Sequence, residues 1–187
     1  MQDKFMENQH RGFPALVVVA LMCFCATVSA DVEWTTETIQ STSDVGMYNS
    51  LAILPDGDAV VSYYNQSGKD LRYAWKDAMG WHRTTLDNAG DVGMWPSIAA
   101  TSTGMPCIAY MEDTSDVGLD TALKYAWKTS GGWHRETVPL TITRGGWQPS
   151  LAMDGLDRPH VSHTNLVTTY ELWYSWKDAD GDWINEP

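Results

Sequence analysis

The amino-acid sequence predicts an all-β protein built from repeated small antiparallel sheets, and three observations lead to that prediction. First, a tryptophan recurs as Trp34, Trp81, Trp133 and Trp183, at spacings of 47, 52 and 50 residues. Second, apolar and polar residues alternate with a period of two inside each repeat, which is the pattern of half-buried strands. Third, turns rich in Gly and Asp separate the alternating runs. No segment after residue 30 carries a convincing helical period, so we expect essentially no helix there.

Each repeat divides into four strands, which we name a to d. In the first repeat the alternation predicts strand a at 50–54, strand b at 59–64, strand c at 71–76 and strand d at 81–86. Four short strands recurring every forty to fifty residues are typical of one blade of a β-propeller. A single blade cannot bury both faces of its sheet, so neighbouring blades must stack on it. The predicted blades are about 50–86, 97–138 and 150–185.

The repeat count predicts an incomplete ring. A lone d-type strand is expected at Trp34–Ile39, with no strands a to c of its own before it. Three blades also fall short of the four to eight that usually close a propeller. Two interpretations stay open. The sequence is part of a longer protein, which we favour, or chains associate with one another to close the ring.

Strand c explains why the aromatic residues repeat. "LRYAWKDAMGWHR" at 71–83 and "LKYAWKTSGGWHR" at 123–135 share most of their residues. Leu71, Tyr73 and Trp75 fall on one face of the strand, because successive side chains point to opposite faces. We expect the repeated aromatic residues to pack blade against blade, with stacking on sugars as the alternative role.

The first thirty residues have the layout of a secretory signal peptide. A polar start carries Lys4 and Arg11, an apolar run covers 13–28, and Val28-Ser29-Ala30 ends in small residues. The apolar run is shorter than the roughly 20 residues that a membrane-spanning helix needs. We expect cleavage after Ala30, with an uncleaved signal anchor as the alternative. Residues 31–187 then form a repeat domain that is secreted, periplasmic or on the cell surface.

The net charge limits the classes of binding partner, and the cysteine content limits disulfide formation. The formal net charge of −12 argues against nucleic acid and against an anionic membrane, since both require a basic surface. Cys107 is the one cysteine after residue 30, so no disulfide can form within residues 31–187. In an oxidising compartment we expect this thiol to be buried, on a strand b.

Three segments carry a resemblance to a known group of proteins. "SLAILPDGDAVVSYYN", "LKYAWKTSGGWHRETV" and "PSLAMDGLDRPHVSH" resemble the repeats of secreted bacterial β-propeller proteins. More distantly, the chain is similar to fucose-specific lectins and to sialidase-like propellers, although the Asp box of sialidases is missing. The resemblance covers nearly all of residues 33–187 and implies the fold, without implying a particular activity.

The d-to-a and b-to-c connections emerge together at one end of the blades, and their lengths vary. Variable loops on a rigid scaffold usually carry recognition. Indole rings can stack on sugar C–H faces, and carboxylates can accept hydrogen bonds from hydroxyl groups. The candidate ligand-binding residues are Tyr48, Asp91, Trp95, Asp113, Asp116 and Trp147. The alternative is that the Asp-Val-Gly segments only shape turns.

We therefore expect a secreted, non-enzymatic recognition module that binds a carbohydrate or another extracellular ligand; its partner would be a glycan or an extracellular protein. A sialidase-like glycoside hydrolase is one alternative, and it would need clustered arginines and a carboxylate pair. A structural or adhesive surface protein is another.

No catalytic residue, metal site or cofactor is predicted. The exception to be tested is calcium at Asp178, Asp180 and Asp182, which alternate like the start of a calcium loop but lack its distal glutamate.

Overall fold

The structure is a computed structural model that describes residues 33–115 and 120–187. The predicted signal peptide and Asp116 lie outside the described residues. Within those two ranges the chain is all-β: twelve strands form three four-stranded antiparallel sheets, with no helix. The predicted fold class is confirmed, and the three blades formed by the described residues do not close a ring.

Each sheet follows the order of the chain, with every strand antiparallel to the next. Blade 1 consists of β1 (Val45–Ile53), β2 (Ala59–Asn65), β3 (Asp70–Asp77) and β4 (Gly80–Asp87). Blade 2 consists of β5 (Asp91–Ala100), β6 (Pro106–Asp113), β7 (Thr121–Thr129) and β8 (Gly132–Thr137). Blade 3 consists of β9 (Trp147–Met153), β10 (Pro159–Leu166), β11 (Tyr170–Lys177) and β12 (Trp183–Glu186). The innermost strands β1, β5 and β9 lie beside one another.

The first strand of each blade starts earlier than predicted, which is a correction to the sequence analysis. β1 begins at Val45 instead of Ser50, and β5 begins at Asp91 instead of Ser97. The register with the neighbouring strand shifts within residues 45–50 and within 92–97. Such β-bulges insert extra residues and break the period-two alternation on which the prediction rested. The predicted loop residues Tyr48, Asp91, Trp95 and Trp147 therefore belong to strands, and the predicted loop residue Asp113 is the last residue of β6.

A second correction concerns Trp34–Ile39, which was predicted as a strand and forms none. A strand requires a backbone partner, and the sheet that this segment would complete is not present among the described residues. Glu37–Pro187 forms one compact unit. Inside that unit, Glu37 contacts blade 1 through its side chain, by accepting hydrogen bonds from Lys76 Nζ (2.7 Å) and Trp81 Nε1 (3.0 Å).

The hydrophobic core lies at the two junctions between blades. At the first junction, Leu71 and Tyr73 of blade 1 pack in one cluster with Ile98 of blade 2. At the second, Tyr125 of blade 2 clusters with Leu151 of blade 3. The predicted packing role of the repeated strand-c aromatics is thereby confirmed at both junctions.

Candidate functional site

Three aromatic side chains from the innermost strands form what we call the aromatic row: Tyr48 on β1, Trp95 on β5 and Trp147 on β9. The ring centroids of Tyr48 and Trp95 are 4.8 Å apart, and those of Trp95 and Trp147 are 5.6 Å apart. The fold thus brings together residues that are separated by about fifty positions in the sequence. A cavity of about 310 Å³ adjoins the row and is lined by Tyr48, Asn49, Trp95, Pro96, Gln148 and Pro149.

An unusual backbone conformation holds this part of the site. Tyr48, Trp95 and Gln148 occupy equivalent positions in the three blades and have φ angles of 52°, 47° and 49°. Left-handed backbone is uncommon for residues other than glycine and costs roughly 1–2 kcal/mol. Bulges redirect side chains and recur next to binding sites. The left-handed conformation therefore recurs with the β-bulge in each blade. At two of the three positions the residue in this conformation is aromatic.

The indole of Trp147 brings an unused hydrogen-bond donor to the row. Its Nε1 atom is buried and has no hydrogen-bond partner among the described residues. Leaving such a donor unpaired costs about 1–3 kcal/mol. Because the atom is buried, a ligand oxygen would reach it only if the surrounding side chains moved.

A second feature, which we call the carboxylate groove, lies at the same end of the molecule between blades 1 and 2. Its volume is about 670 Å³, and it is lined by Gly68, Lys69, Gly90, Asp91, Glu112, Asp113, Thr114 and Ser115. These residues come from the b-to-c connection of blade 1, the start of β5 and the end of β6. The variable connections of two blades therefore meet there, as the sequence analysis expected.

Asp91 joins the groove to the aromatic row. Its Oδ1 accepts a hydrogen bond from the Tyr64 hydroxyl (2.5 Å), and its Oδ2 lies 2.9 Å from Lys69 Nζ. Burial raises the pKa of Tyr64 well above its usual range, and the hydrogen bond to Asp91 adds to the rise. The phenol therefore stays protonated and keeps donating. The Tyr64 ring is 6.3 Å from that of Tyr48, so the chain of contacts continues into the row.

The other carboxylates of the groove have different roles. Asp113 Oδ1 accepts a hydrogen bond from the backbone N–H of Ser115 (3.0 Å), so this side chain shapes its own loop. Glu112 Oε2 lies 3.4 Å from Lys124 Nζ. Glu112, unlike Asp113, is not occupied by a local turn contact and faces the groove with Asp91.

Tyr64 and Lys69 were not among the site residues predicted from the sequence. The available signal was a departure from the repeat, because Tyr64 stands where the other blades have Met111 and Thr164. A side chain that packs between blades recurs, whereas one that serves a single site does not.

The three aspartates of the predicted calcium site lie in a turn. Asp178 Oδ1 accepts hydrogen bonds from the backbone N–H groups of Asp180 (2.9 Å) and Asp182 (3.0 Å). Within residues 33–115 and 120–187, no group of three or more His, Cys, Asp or Glu side chains is arranged to hold a metal ion.

The arginines of the described ranges are dispersed. Each is paired with a different group: Arg72 with Asp70, Arg83 with the Ile39 carbonyl, Arg135 with the Leu86 carbonyl, Arg144 with Asp120 and Arg158 with Asp154. None of the five lines the carboxylate groove, where the cation is Lys69.

Comparison with known proteins supports a propeller-type fold. No protein-family model matches the chain, and no curated protein matches it. Among solved structures, the chain is similar to an α-L-arabinofuranosidase from Fusarium graminearum in complex with an iminosugar inhibitor, at 15% identity and a TM-score of 0.54. The match covers 74% of this chain and 46% of that one, so the chain spans less than half of the arabinofuranosidase.

Two further solved structures are similar to the chain. One is a fucose lectin from Kordia zhangzhouensis in complex with methyl-fucoside, at 15% identity and a TM-score of 0.49, covering 74% of this chain and 96% of that one. The other is the intramolecular trans-sialidase from Ruminococcus gnavus in complex with oseltamivir carboxylate, at 17% identity and a TM-score of 0.44, covering 70% and 29%. The resemblance of the repeats to secreted bacterial propeller proteins stays a prediction.

Proposed function

We propose that this protein is a non-enzymatic carbohydrate-binding module and that the ligand lies on the aromatic row and in the carboxylate groove. The observation that carries the proposal is the pairing of Tyr48 with Trp95 at equivalent left-handed positions. Rigid aromatic rings beside hydrogen-bonding groups suit a ligand with both apolar C–H faces and hydroxyl groups.

Each part of the site has a chemical role in this proposal. The rings of Tyr48 and Trp95 pack against a sugar face. Asp91 and Glu112 accept hydrogen bonds from sugar hydroxyls. Asp91 is already oriented by Tyr64 and Lys69, so little side-chain freedom is lost when the ligand binds.

The charge of the groove favours a neutral sugar over an acidic one. Three carboxylates, Asp91, Glu112 and Asp113, line it, and two cations lie beside them: Lys69 next to Asp91 and Lys124 next to Glu112. A carboxylate on the ligand would meet like charge, and the described arginines are engaged elsewhere. The proposal is therefore binding of a neutral glycan.

The test is binding of the full 187-residue chain to an array of neutral and sialylated glycans. We expect neutral glycans to be retained, and we expect Tyr48→Ala and Trp95→Ala each to weaken binding by about tenfold, equivalent to 1.4 kcal/mol. Tyr170→Ala, which removes an exposed ring from blade 3, is the matched control and should leave binding unchanged. Equal binding by all four proteins would contradict the proposed site.

A glycoside hydrolase is the competing function, because the same groove holds several carboxylates. It is tested with fluorogenic glycosides. Turnover that is abolished by Glu112→Gln while sugar binding persists would replace the non-enzymatic proposal with an enzymatic one.

Secretion rests on the signal-peptide prediction for residues 1–30. In the part of the chain that the structure describes, no helix is long and apolar enough to cross a membrane.

A further inference from the structure

Neighbouring blades in this chain meet through one repeated junction. We name the face of a blade that carries the strand-c Leu and Tyr its forward face, and the opposite face its back face. At the first junction the forward-face ring of Tyr73 meets Trp133 of blade 2, with centroids 5.0 Å apart. At the second, Tyr125 meets Trp183 of blade 3 at 5.5 Å. Both contacts are edge-to-face, so the same contact is formed twice.

A glycine allows the close approach at each junction. A Cβ atom placed on Gly93 would lie 2.5 Å from Leu71 Cα, and one placed on Gly146 would lie 2.6 Å from Leu123 Cα. Only a residue without a side chain fits at those distances. Each junction thus joins a forward-face leucine to a back-face glycine.

Two faces of this chain have the features of a junction but are exposed: the forward face of blade 3 and the back face of blade 1. On the forward face of blade 3, Leu172 is 74% exposed, whereas its counterparts Leu71 and Leu123 are fully buried. On the back face of blade 1, nothing described lies within 4 Å of the Cβ position of Gly46, the counterpart of Gly93 and Gly146.

The apolar residues around Gly46 are exposed in the same way. Leu51 on the back face of blade 1 is 58% exposed, whereas its counterpart Ile98 in blade 2 is 6% exposed. A cavity of about 340 Å³ lies beside Leu51, Val61 and Tyr63. The back face of blade 1 therefore has the shape and composition of a junction without its neighbouring blade.

Residues 37–40 already make the contacts of a preceding outer strand. Glu37 accepts from Trp81 Nε1 (3.0 Å) as Glu136 accepts from Trp183 Nε1 (2.8 Å). The Ile39 carbonyl accepts from Arg83, as the Leu86 carbonyl accepts from Arg135.

Gln40 completes this correspondence. Its Oε1 accepts from the Tyr63 hydroxyl (2.7 Å), as Asp87 Oδ2 accepts from the Tyr110 hydroxyl (2.8 Å). Residues 37–40 therefore lie where the outer strand of a preceding blade lies at the two internal junctions, on the back face of blade 1.

We propose that the forward face of blade 3 docks on the back face of blade 1 of a second copy of this chain. Leu172 of one copy then approaches Gly46 of the other, and Tyr174 meets Trp81. The occupant is a second copy because one chain exposes both complementary halves of a junction that it forms twice internally. Two reciprocal contacts of this head-to-tail kind would make a closed ring of six blades, within the usual propeller range.

The open edge of β11 fits the same arrangement. β12 pairs with Tyr174–Lys177, and among the described residues no outer strand pairs with 170–173. In blade 1 the outer strand continues until Asp87 pairs with Leu71. Gln40 corresponds to Asp87 and Leu172 to Leu71, so Ile39 and Gln40 of the second copy would continue β12 along the open edge. Glu186 is the counterpart of both Glu136 and Glu37, and in the assembly it would take the place of Glu37 beside Trp81.

The experiment measures the mass of the assembly by multi-angle light scattering, using the full 187-residue chain and reading the chain mass by mass spectrometry. We expect twice the chain mass for the wild type and the single-chain mass for Leu172→Arg. Leu156→Arg is the matched control: Leu156 is also 74% exposed but lies on a turn between strands of blade 3, so this variant should stay dimeric. Both leucines are exposed within one chain, so neither change should prevent folding.

A second variant separates head-to-tail docking from a symmetric contact between two blade 3 faces. Leu51→Arg should also give single chains, and mixing it with Leu172→Arg should restore association, because each variant keeps the face that the other has lost. A wild type that stays a single chain would overturn the proposal. So would a dimer that survives Leu51→Arg or Leu172→Arg, or a mixture of the two variants that fails to associate.

Discussion

The indole ring of Trp133 packs edge-on against the phenol ring of Tyr73, with the two ring planes at 67°. Trp133 belongs to the outer strand of blade 2 and Tyr73 to blade 1, so the contact joins two sheets. Aromatic rings favour this geometry because the positive edge of one ring meets the negative face of the other. Trp183 and Tyr125 form the same edge-to-face contact at the second junction. This repeated contact explains why the aromatic residues repeat in the sequence.

Trp133→Ala should lower the free energy of unfolding by about 3 kcal/mol, because it removes a large, partly buried ring that packs against the core at the first blade junction. The measurement is urea denaturation followed by circular dichroism. Trp34→Ala is the control at the equivalent repeat position, where the ring is 90% exposed, and it should change stability by no more than about 0.5 kcal/mol. Equal losses in the two variants would contradict the assigned junction.

Trp95→Gly should leave the protein more stable than Trp95→Ala by about 1 kcal/mol. Both variants lose the ring, but only alanine keeps a Cβ atom on backbone with a φ of 47°. Thermal unfolding of the two variants gives the comparison, and both should lose sugar binding equally. A more stable alanine variant would show that the left-handed conformation relaxes when the ring is removed.

The stability of the wild type should fall as the pH is lowered from 7 to 5, in part because of His163. Burial lowers the pKa of this imidazole below its usual value near 6.5. At pH values below 6.5 the imidazole of the unfolded chain binds a proton more readily than the buried imidazole of the folded chain. Lowering the pH through this range therefore favours unfolding, whereas at higher pH both states are unprotonated and His163 gives stability no pH dependence. Its ring nitrogens lie 2.9 Å from Asn165 Oδ1 and 2.8 Å from Ser175 Oγ.

His163→Gln removes the titrating group and serves as the comparison for that measurement. The difference in unfolding free energy between the wild type and the variant, from urea titrations at each pH, should shrink as the pH falls. Other groups titrate in both proteins and cancel in the difference. A constant difference between pH 7 and pH 5 would contradict the role of His163.

Cys107 should resist a bulky alkylating reagent in the folded protein and react once denaturant is added. The residue is 2% exposed, and burial raises the pKa of the thiol, which reduces the reactive thiolate. Mass spectrometry of labelled protein measures the reaction. Rapid labelling of the native protein would show that the second blade junction opens readily.

The fold was predictable because its determinants are local and repeated. The alternation around residues 59–64 and 71–76 indicated strands that the structure confirms as β2 and β3. The burial of Cys107 was also correct, since its position in the repeat placed it on a strand b. The start of β1 was missed because the bulge near Tyr48 interrupts the alternation on which a strand prediction depends.

The candidate site was predictable only in part. Tyr48, Trp95 and Trp147 were selected from the sequence, but their contact depends on the adjacency of β1, β5 and β9. Tyr64 and Lys69 were missed because nothing in their local sequence indicates that they meet Asp91.

The sequence by itself determined the repeat, the four-stranded unit and the residues that pack between units, because each depends on short-range alternation and on turns within about fifty residues. Only the tertiary structure decided which side chains from different blades meet, that Trp34–Ile39 forms no strand, and that no described residue packs on the Gly46 and Leu172 faces. The physical reason is that hydrogen-bond partners, burial and close approach between blades depend on the packing of distant segments, which the local pattern does not encode.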